Sequence, residues 1–168
     1  MKRIIFILAI ALLMMGCAST QNAATTQAEI EQKINEQRYT FVAQSVVPTE
    51  DSRFNPRLMF PQGNNLYQLT SRYDLKVTPD SVTAYLPFFG RAFTAPLDPT
   101  KGGIQFTSTK FTYKKNIRKN NFHITILPQD VSEIQSIYLT ISPSGYGSVQ
   151  ITSTNRTPIS YHGIIETP

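Results

Sequence analysis

The feature that most restricts the fold is a change of hydrophobic period at Tyr39. From there onward apolar and polar residues alternate in short runs, and Pro, Gly, Asn or Asp separates one run from the next. The clearest run is Gln68–Val77, followed by the turn sequence Thr78–Ser81 and a second alternating run, Val82–Leu86. A period of two is typical of half-buried β-strands, because successive side chains point to opposite faces of a sheet.

Such runs recur at a spacing of roughly ten residues, as expected for strands connected by hairpins. The apolar phase slips by one residue within 104–113, which predicts a β-bulge there. Residues 48–65 are rich in proline and predict a long loop. We predict nine strands, over residues 39–47, 68–77, 82–86, 90–95, 104–113, 122–127, 134–141, 146–153 and 158–165.

A sheet of this kind must hide its edges, and closing on itself would do so. The fold is therefore predicted to be mainly β (α+β): an antiparallel meander closing into a small barrel-like or sandwich sheet. One short N-terminal helix is expected to pack on it. Thr26 and Glu29 form a capping-box pattern, Ile30 and Ile34 lie on one helix face, and the helix is expected to end near Arg38.

The N-terminus has the order of a signal peptide. Lys2 and Arg3 precede Ile4–Met15, an apolar run of twelve residues. This run is too short to span a bilayer, which takes roughly 20 residues, but it has the length of a signal-peptide core. The following Leu13–Cys17 resembles a lipobox, with methionines at positions where Leu and a small residue are usual. We therefore expect lipid attachment at Cys17, the only cysteine of the chain.

These features predict three parts of the chain: a removed signal peptide over 1–16, the lipidated Cys17 with a flexible tether over 17–25, and a single β-rich domain over 26–168. Cleavage removes Lys2 and Arg3 and lowers the formal charge from +5 to +3, a weak attraction for any polyanion. Ala18 after the cysteine favours the outer membrane. The absence of an acidic run after Cys17 favours the periplasmic side over the cell surface.

Two longer stretches resemble a known family. They are Tyr73–Ala92, with the core Leu-Pro-Phe-Phe-Gly-Arg, and Val149–Gly163. Together they are similar to domain-of-unknown-function family DUF4251, small lipoproteins of Bacteroides-like bacteria. The resemblance covers nearly all of residues 26–168. It implies a lipoprotein and brings no activity, cofactor or catalytic residue.

The first candidate contact site is Tyr85, Phe88, Phe89 and Arg91. Aromatic rings beside an arginine could line the mouth of a ligand site, with Arg91 pairing a carboxylate or phosphate. The structural alternative is a hairpin corner, in which Gly90 permits the bend and the phenylalanines fill the core.

The second candidate is a set of five cations near a predicted hairpin tip, which could contact anionic headgroups. They are Lys110, Lys114, Lys115, Arg118 and Lys119. The alternative is a solvated hairpin whose charges discourage edge pairing. His123 and His162 have no third ligand at a recognisable spacing, so no metal site is expected. Ser144–Ser148 indicates a hairpin turn rather than a nucleophile loop.

No residue is nominated as catalytic, and no cofactor is expected. We predict a non-enzymatic binding domain, anchored to the membrane through Cys17, that holds an envelope protein or another envelope component. The first alternative is a lipocalin-like carrier of a small apolar ligand, since 8 Tyr and 10 Phe could line a cavity. The second is a hydrolase of envelope polymers. Nucleic acid is not expected as a partner.

Overall fold

The computed structural model describes residues 18–48, 67–93 and 102–166. The signal peptide, Cys17 and nearly all of the predicted 48–65 loop lie outside these residues. One helix and nine strands are present in the described part: α1 (Ala18–Glu36), β1 (Tyr39–Pro48), β2 (Gln68–Val77), β3 (Val82–Leu86), β4 (Ile104–Ser108), β5 (Phe111–Arg118), β6 (Asn121–Pro128), β7 (Ile134–Ile141), β8 (Tyr146–Ser153) and β9 (Ile159–Glu166).

Helix α1 is longer than the capping pattern predicts. It begins at Ala18 rather than Thr26, so residues 18–25 are helical instead of forming an irregular tether. Alanine has the highest helix propensity of any residue, and the alanines in this stretch favour a helix over the predicted flexible tether. The helix ends with Arg38 N–H donating to Lys33 O and Gln37 N–H to Ile34 O. This is a Schellman motif, and Gln37 takes the left-handed position with φ 53°.

The strands form one antiparallel meander sheet that is nearly closed into a barrel. Its order is β4-β3-β2-β1-β9-β8-β7-β6-β5, and every neighbouring pair is antiparallel. After eight antiparallel steps the two edge strands, β4 and β5, run in the same direction. Only residues 109–110 join them, whereas side-by-side parallel strands need a connection of about a dozen residues. Strands β4 and β5 are therefore the two halves of one bent strand.

This bent strand closes the circuit. Its first half pairs with β3 and its second half with β6. The cross-strand partners can be followed from Ile117 on β5 through β6, β7, β8, β9, β1, β2 and β3 in turn. This path comes back to the bent strand near Ile104 on β4. Such a stagger is the consequence of strand tilt in a barrel.

The bend is held by one carboxylate. Asp130, which follows β6, accepts hydrogen bonds from Ser108 Oγ (2.5 Å), Thr109 N–H (2.8 Å) and Lys110 N–H (3.1 Å). The β-bulge predicted within 104–113 is therefore wrong: the phase slips because the strand breaks and turns at 109–110. The bulges lie elsewhere, at Gln44 in β1 and Gln135 in β7.

The strand predicted over 90–95 is also wrong for its described residues. Residues 90–93 make only an isolated bridge, Ala92 with Arg156. The other predicted strands match observed ones, except that the strand predicted over 104–113 is divided into β4 and β5. The turn at Thr78–Ser81 is present, with Thr78 N–H donating to Ser81 O (2.8 Å).

The interior is packed by side chains that meet across the barrel. Tyr39 on β1 and Tyr113 on β5 join through their hydroxyls (3.3 Å), and Tyr161 on β9 donates to Pro87 O beyond β3 (2.6 Å). Phe41 on β1 is fully buried in the same interior. Large core residues with almost no exposure include Leu75, Leu86, Ile124, Ile126, Ile137, Leu139, Ile141 and Ile151.

Helix α1 packs at one end of the barrel. Ile30 and Ile34 are buried, Ile30 lies against Gly145 in the β7–β8 turn, and Lys115 donates to Asn35 Oδ1. We call this the helix end; it also carries the β5–β6 turn. The opposite end carries residues 87–93, 102–103 and 154–157.

Candidate functional site

The first predicted site lies at the opposite end, and its members have different environments. Tyr85 (51% exposed) and Phe89 (54% exposed) are on the surface, and Tyr85 stacks on Tyr73 with ring centroids 5.7 Å apart. Phe88 is half-buried against the core. Phe93, which the sequence reading did not select, is 66% exposed. We call Tyr85, Phe89 and Phe93 the aromatic end.

The backbone that carries these rings is fixed to the β8–β9 connection. Arg91 N–H donates to Thr157 Oγ1 (3.1 Å), Thr157 N–H to Arg91 O (2.9 Å) and Phe93 N–H to Asn155 O (2.8 Å). The backbone of residues 91–93 is therefore already held in place before any partner binds. Phe88 packs against the core, as the hairpin-corner alternative predicts, whereas Phe89 and Phe93 are exposed.

A second cation at this end, Arg156, is buried, whereas the predicted contact residue Arg91 is exposed. Arg156 Nη1 donates to Gly102 O (3.0 Å) and Gly103 O (2.8 Å). Its guanidinium also lies 5.2 Å from the centroid of the Phe88 ring, a cation–π distance. Arg156 thus joins three chain segments beneath the aromatic end. No local pattern in the sequence distinguishes it from Arg91.

The five predicted cations are all exposed but do not form one patch. Strand alternation puts Lys114 and Arg118 on the outer face of β5 and turns Lys115 to the opposite face, beside α1. Lys119 sits in the β5–β6 turn with φ 50°, and Lys110 lies at the other end of the strand beside Asp130. An inward-phase lysine on an edge strand is a known way to discourage edge pairing.

A shallow polar groove, not selected from the sequence, crosses the outer face of β6–β9 near the helix end. Its volume is about 250 Å³, and its lining includes Thr140, Ser142, Tyr146, Ser148 and His162. Asn121 and Gly147 complete the lining.

The predicted histidines lie on this outer face. His162 is exposed in the groove, and His123 is beside it with Nδ1 3.3 Å from Thr140 Oγ1. Within the described ranges, no three His, Cys, Asp or Glu side chains come close enough to hold a metal ion. Of the predicted turn Ser144–Ser148, Ser144 and Gly145 lie in the β7–β8 turn and Tyr146–Ser148 begin β8; Ser142 N–H donates to Tyr146 O across the turn (2.8 Å). No helix among the residues that the structure describes is long and apolar enough to cross a membrane.

The buried tyrosines are core groups rather than a site. Burial raises the pKa of Tyr39 well above its ordinary value, and the facing Tyr113 raises it further. Burial likewise raises the pKa of Tyr113 and of Tyr161, although the Arg156 guanidinium partly offsets the rise at Tyr161. These phenols stay neutral and serve as hydrogen-bonding core residues.

A family model described as "Domain of unknown function (DUF4251)" matches residues 21–165. This span includes β1 to β8, all of β9 but its last residue, and most of α1. A search of curated proteins finds no match.

Proposed function

The chain belongs to the DUF4251 family, whose function is unknown, and from this premise we propose that it is a membrane-anchored lipoprotein with a non-enzymatic binding domain. The anchor is a lipid on Cys17, in the outer membrane on its periplasmic side. The partner is an envelope protein that docks on the aromatic end.

The observation that carries the proposal is where the large aromatic side chains lie. Tyr85, Phe89 and Phe93 are more than half exposed on a fixed backbone. Contiguous exposed apolar patches mark interaction sites, and aromatic residues are enriched at the centres of protein interfaces. Contacts across the barrel, such as Tyr39 with Tyr113, occupy the space that an interior ligand would need. These contacts count against the carrier alternative.

The position of α1 supports the same arrangement. Cys17 directly precedes the helix, and the helix packs at the end of the barrel away from the aromatic residues. A lipid at Cys17 would therefore hold the helix end toward the membrane and leave the aromatic end facing the periplasm. Tethering of this kind raises the local concentration of the binding surface without any chemistry.

The anchor is tested by expressing the full chain in a bacterial host supplied with an alkyne-bearing palmitate analogue. We expect label on the parent protein and on the matched Ser19→Ala variant, but none on Cys17→Ser. Label and membrane association retained by Cys17→Ser would overturn the anchor.

The binding surface is tested separately, by placing the photo-crosslinking amino acid p-benzoylphenylalanine at position 93 of the full chain in its own host. We expect a discrete protein adduct at position 93 and none at position 138, since Tyr138 is an exposed aromatic on a different face. The adduct should be lost in a Phe89→Ser background. Equal adducts at both positions, or none at position 93, would overturn the protein-binding role while leaving the anchor intact.

A further inference from the structure

The polar groove on β6–β9 has the composition of a ligand site that differs in kind from the aromatic end. A row of paired residues crosses it in the order His123, Thr140, Ser148, His162 on four adjacent strands. Directly paired residues point to the same face, so their hydroxyl and imidazole groups share one surface. The row offers hydrogen-bond donors and acceptors at the regular spacing of paired strands.

The floor and wall of the groove differ in shape. Gly147 lines the groove with backbone atoms only, since a Cβ at this position would point into the barrel toward Phe41. Beside it, the Tyr146 side chain is 65% exposed at the wall. Its backbone is held by the turn, in which Ser142 Oγ donates to Tyr146 O (3.0 Å). An exposed ring beside small polar groups suits a ligand with one apolar face and many hydroxyls.

A cation completes one rim. Asn121 lines the groove, and Arg118 is its direct partner across the β5–β6 hairpin, so the two side chains lie on the same face. None of the residues lining the groove is acidic. The acidic residue on the outer face of β9, Glu166, is paired with Arg72 through two short hydrogen bonds. The field at the groove is therefore positive on the Arg118 side.

We propose that this groove binds an anionic saccharide, a sugar unit carrying a phosphate or carboxylate. Tyr146 stacks on the face of the sugar ring, and Thr140, Ser148 and His162 bond its hydroxyls. Arg118 pairs with the anionic group, for which a planar guanidinium is well suited. The site is independent of the lipid anchor and of the protein surface at the aromatic end, so either can fail without the other.

The test uses the full chain in detergent, with 3-fluorotyrosine incorporated, and follows the Tyr146 resonance by fluorine NMR. The resonance is assigned by its loss in Tyr146→Phe. N-acetylglucosamine 1-phosphate should shift it saturably, whereas N-acetylglucosamine or inorganic phosphate alone should have a much weaker effect. The Tyr138 resonance, from an exposed tyrosine on the same sheet outside the groove, should stay in place.

Two matched variants test the cation. Arg118→Gln should weaken the affinity for the phosphosugar about tenfold or more, the effect of losing a charge-assisted hydrogen bond. Lys110→Gln removes a charge at the bend of the same strand, away from the groove, and should have no effect. Equal weakening by both variants would mean general charge attraction and would overturn the site.

The remaining outcomes also decide the matter. A shift by inorganic phosphate equal to that by the phosphosugar would mean an adventitious anion only. Vesicles of phosphatidylglycerol in phosphatidylcholine supply anionic headgroups without the proposed saccharide. If they move Tyr146 as far as the phosphosugar does, the surface binds a charged membrane and the saccharide proposal is wrong. A Tyr146 resonance that none of the probes moves would overturn it as well.

Discussion

Two glycines that pair across β8 and β9 should lose very different amounts of stability when each is replaced by alanine. Gly147 and Gly163 are direct partners, and the ring of Phe41 packs on both. A Cβ at position 163 would lie 2.0 Å from Val42 O and 2.9 Å from Phe41 Cζ. A Cβ at position 147 would meet Thr140 O at 3.3 Å and the Phe41 ring at 3.5 Å.

The difference in distance sets the expected magnitudes. A contact of 2.0 Å with a backbone oxygen cannot be relieved by a rotamer change, so Gly163→Ala must separate β1 from β9 beside the bulge at Gln44. Overpacking of this severity costs about 3 kcal/mol or more. Gly147→Ala needs a shift of only a few tenths of an ångström and also reduces the entropy of the unfolded chain. Its net effect should stay within about 1 kcal/mol.

Urea unfolding of the two variants measures the contrast. With a slope of about 1–3 kcal/mol per molar for a small protein, Gly163→Ala should lower the midpoint by about 1–3 M and Gly147→Ala by much less. Adding Phe41→Leu to Gly163→Ala should not restore the midpoint, because the limiting contact is with Val42 O. Similar midpoints for the two single variants would refute this account of how β1 and β9 pack.

Three further changes test other parts of the fold. Arg156→Met removes two hydrogen bonds to Gly102 and Gly103 carbonyls and a cation–π contact, and should lower the free energy of unfolding by about 2–4 kcal/mol in urea; the exposed Arg118→Met should change it by less than about 0.5 kcal/mol. Hydrogen bonds from Ser108 and the following backbone amides hold the pKa of Asp130 well below its ordinary value. Its stabilisation is therefore complete above the unfolded pKa of about 3.9 and is lost as pH falls toward the folded value, so Asp130→Asn should flatten stability measured against pH below about 4. Gln37→Gly removes the backbone strain of a left-handed residue at the end of α1. It should raise the free energy of unfolding by about 1 kcal/mol, which thermal unfolding would detect as a higher melting temperature.

The sequence was sufficient to predict most of the strands because strand alternation is a local property. Runs such as Ile134–Ile141 and Ile159–Glu166 carry buried residues at every second position apart from the bulge, and their limits coincide with turn residues. The bend at 109–110 is different in kind. It depends on Asp130, which lies a whole hairpin later in the chain, so no window around the bend contains its cause. The sequence of 104–113 predicts a bulge because a bulge and a bend both shift the apolar phase by one residue.

The candidate sites show the same division between local and distant causes. Tyr85 is exposed because strand alternation turns it to the outer face of β3, which is a local property. The backbone position of Phe93 depends instead on the distant residue Asn155. Arg91 follows an aromatic motif and Arg156 lies in a polar turn, and it is the approach of Gly102 and Gly103 to Arg156 that is not visible in either local sequence. The groove needed the register of four strands, which alternation alone does not fix.

The early start of α1 changes what a lipid at Cys17 would do. A flexible tether would let the barrel tumble, so no surface would face the periplasm in preference to another. A helix that begins at Ala18 and is docked through Ile30 and Ile34 limits how far the barrel can lie from Cys17. At 1.5 Å per residue, the stretch from Ala18 to Ile30 is about 18 Å long. The proposed anchor would then hold Ile30, and the turn at Gly145 against which it packs, within about this distance of the lipid attachment point.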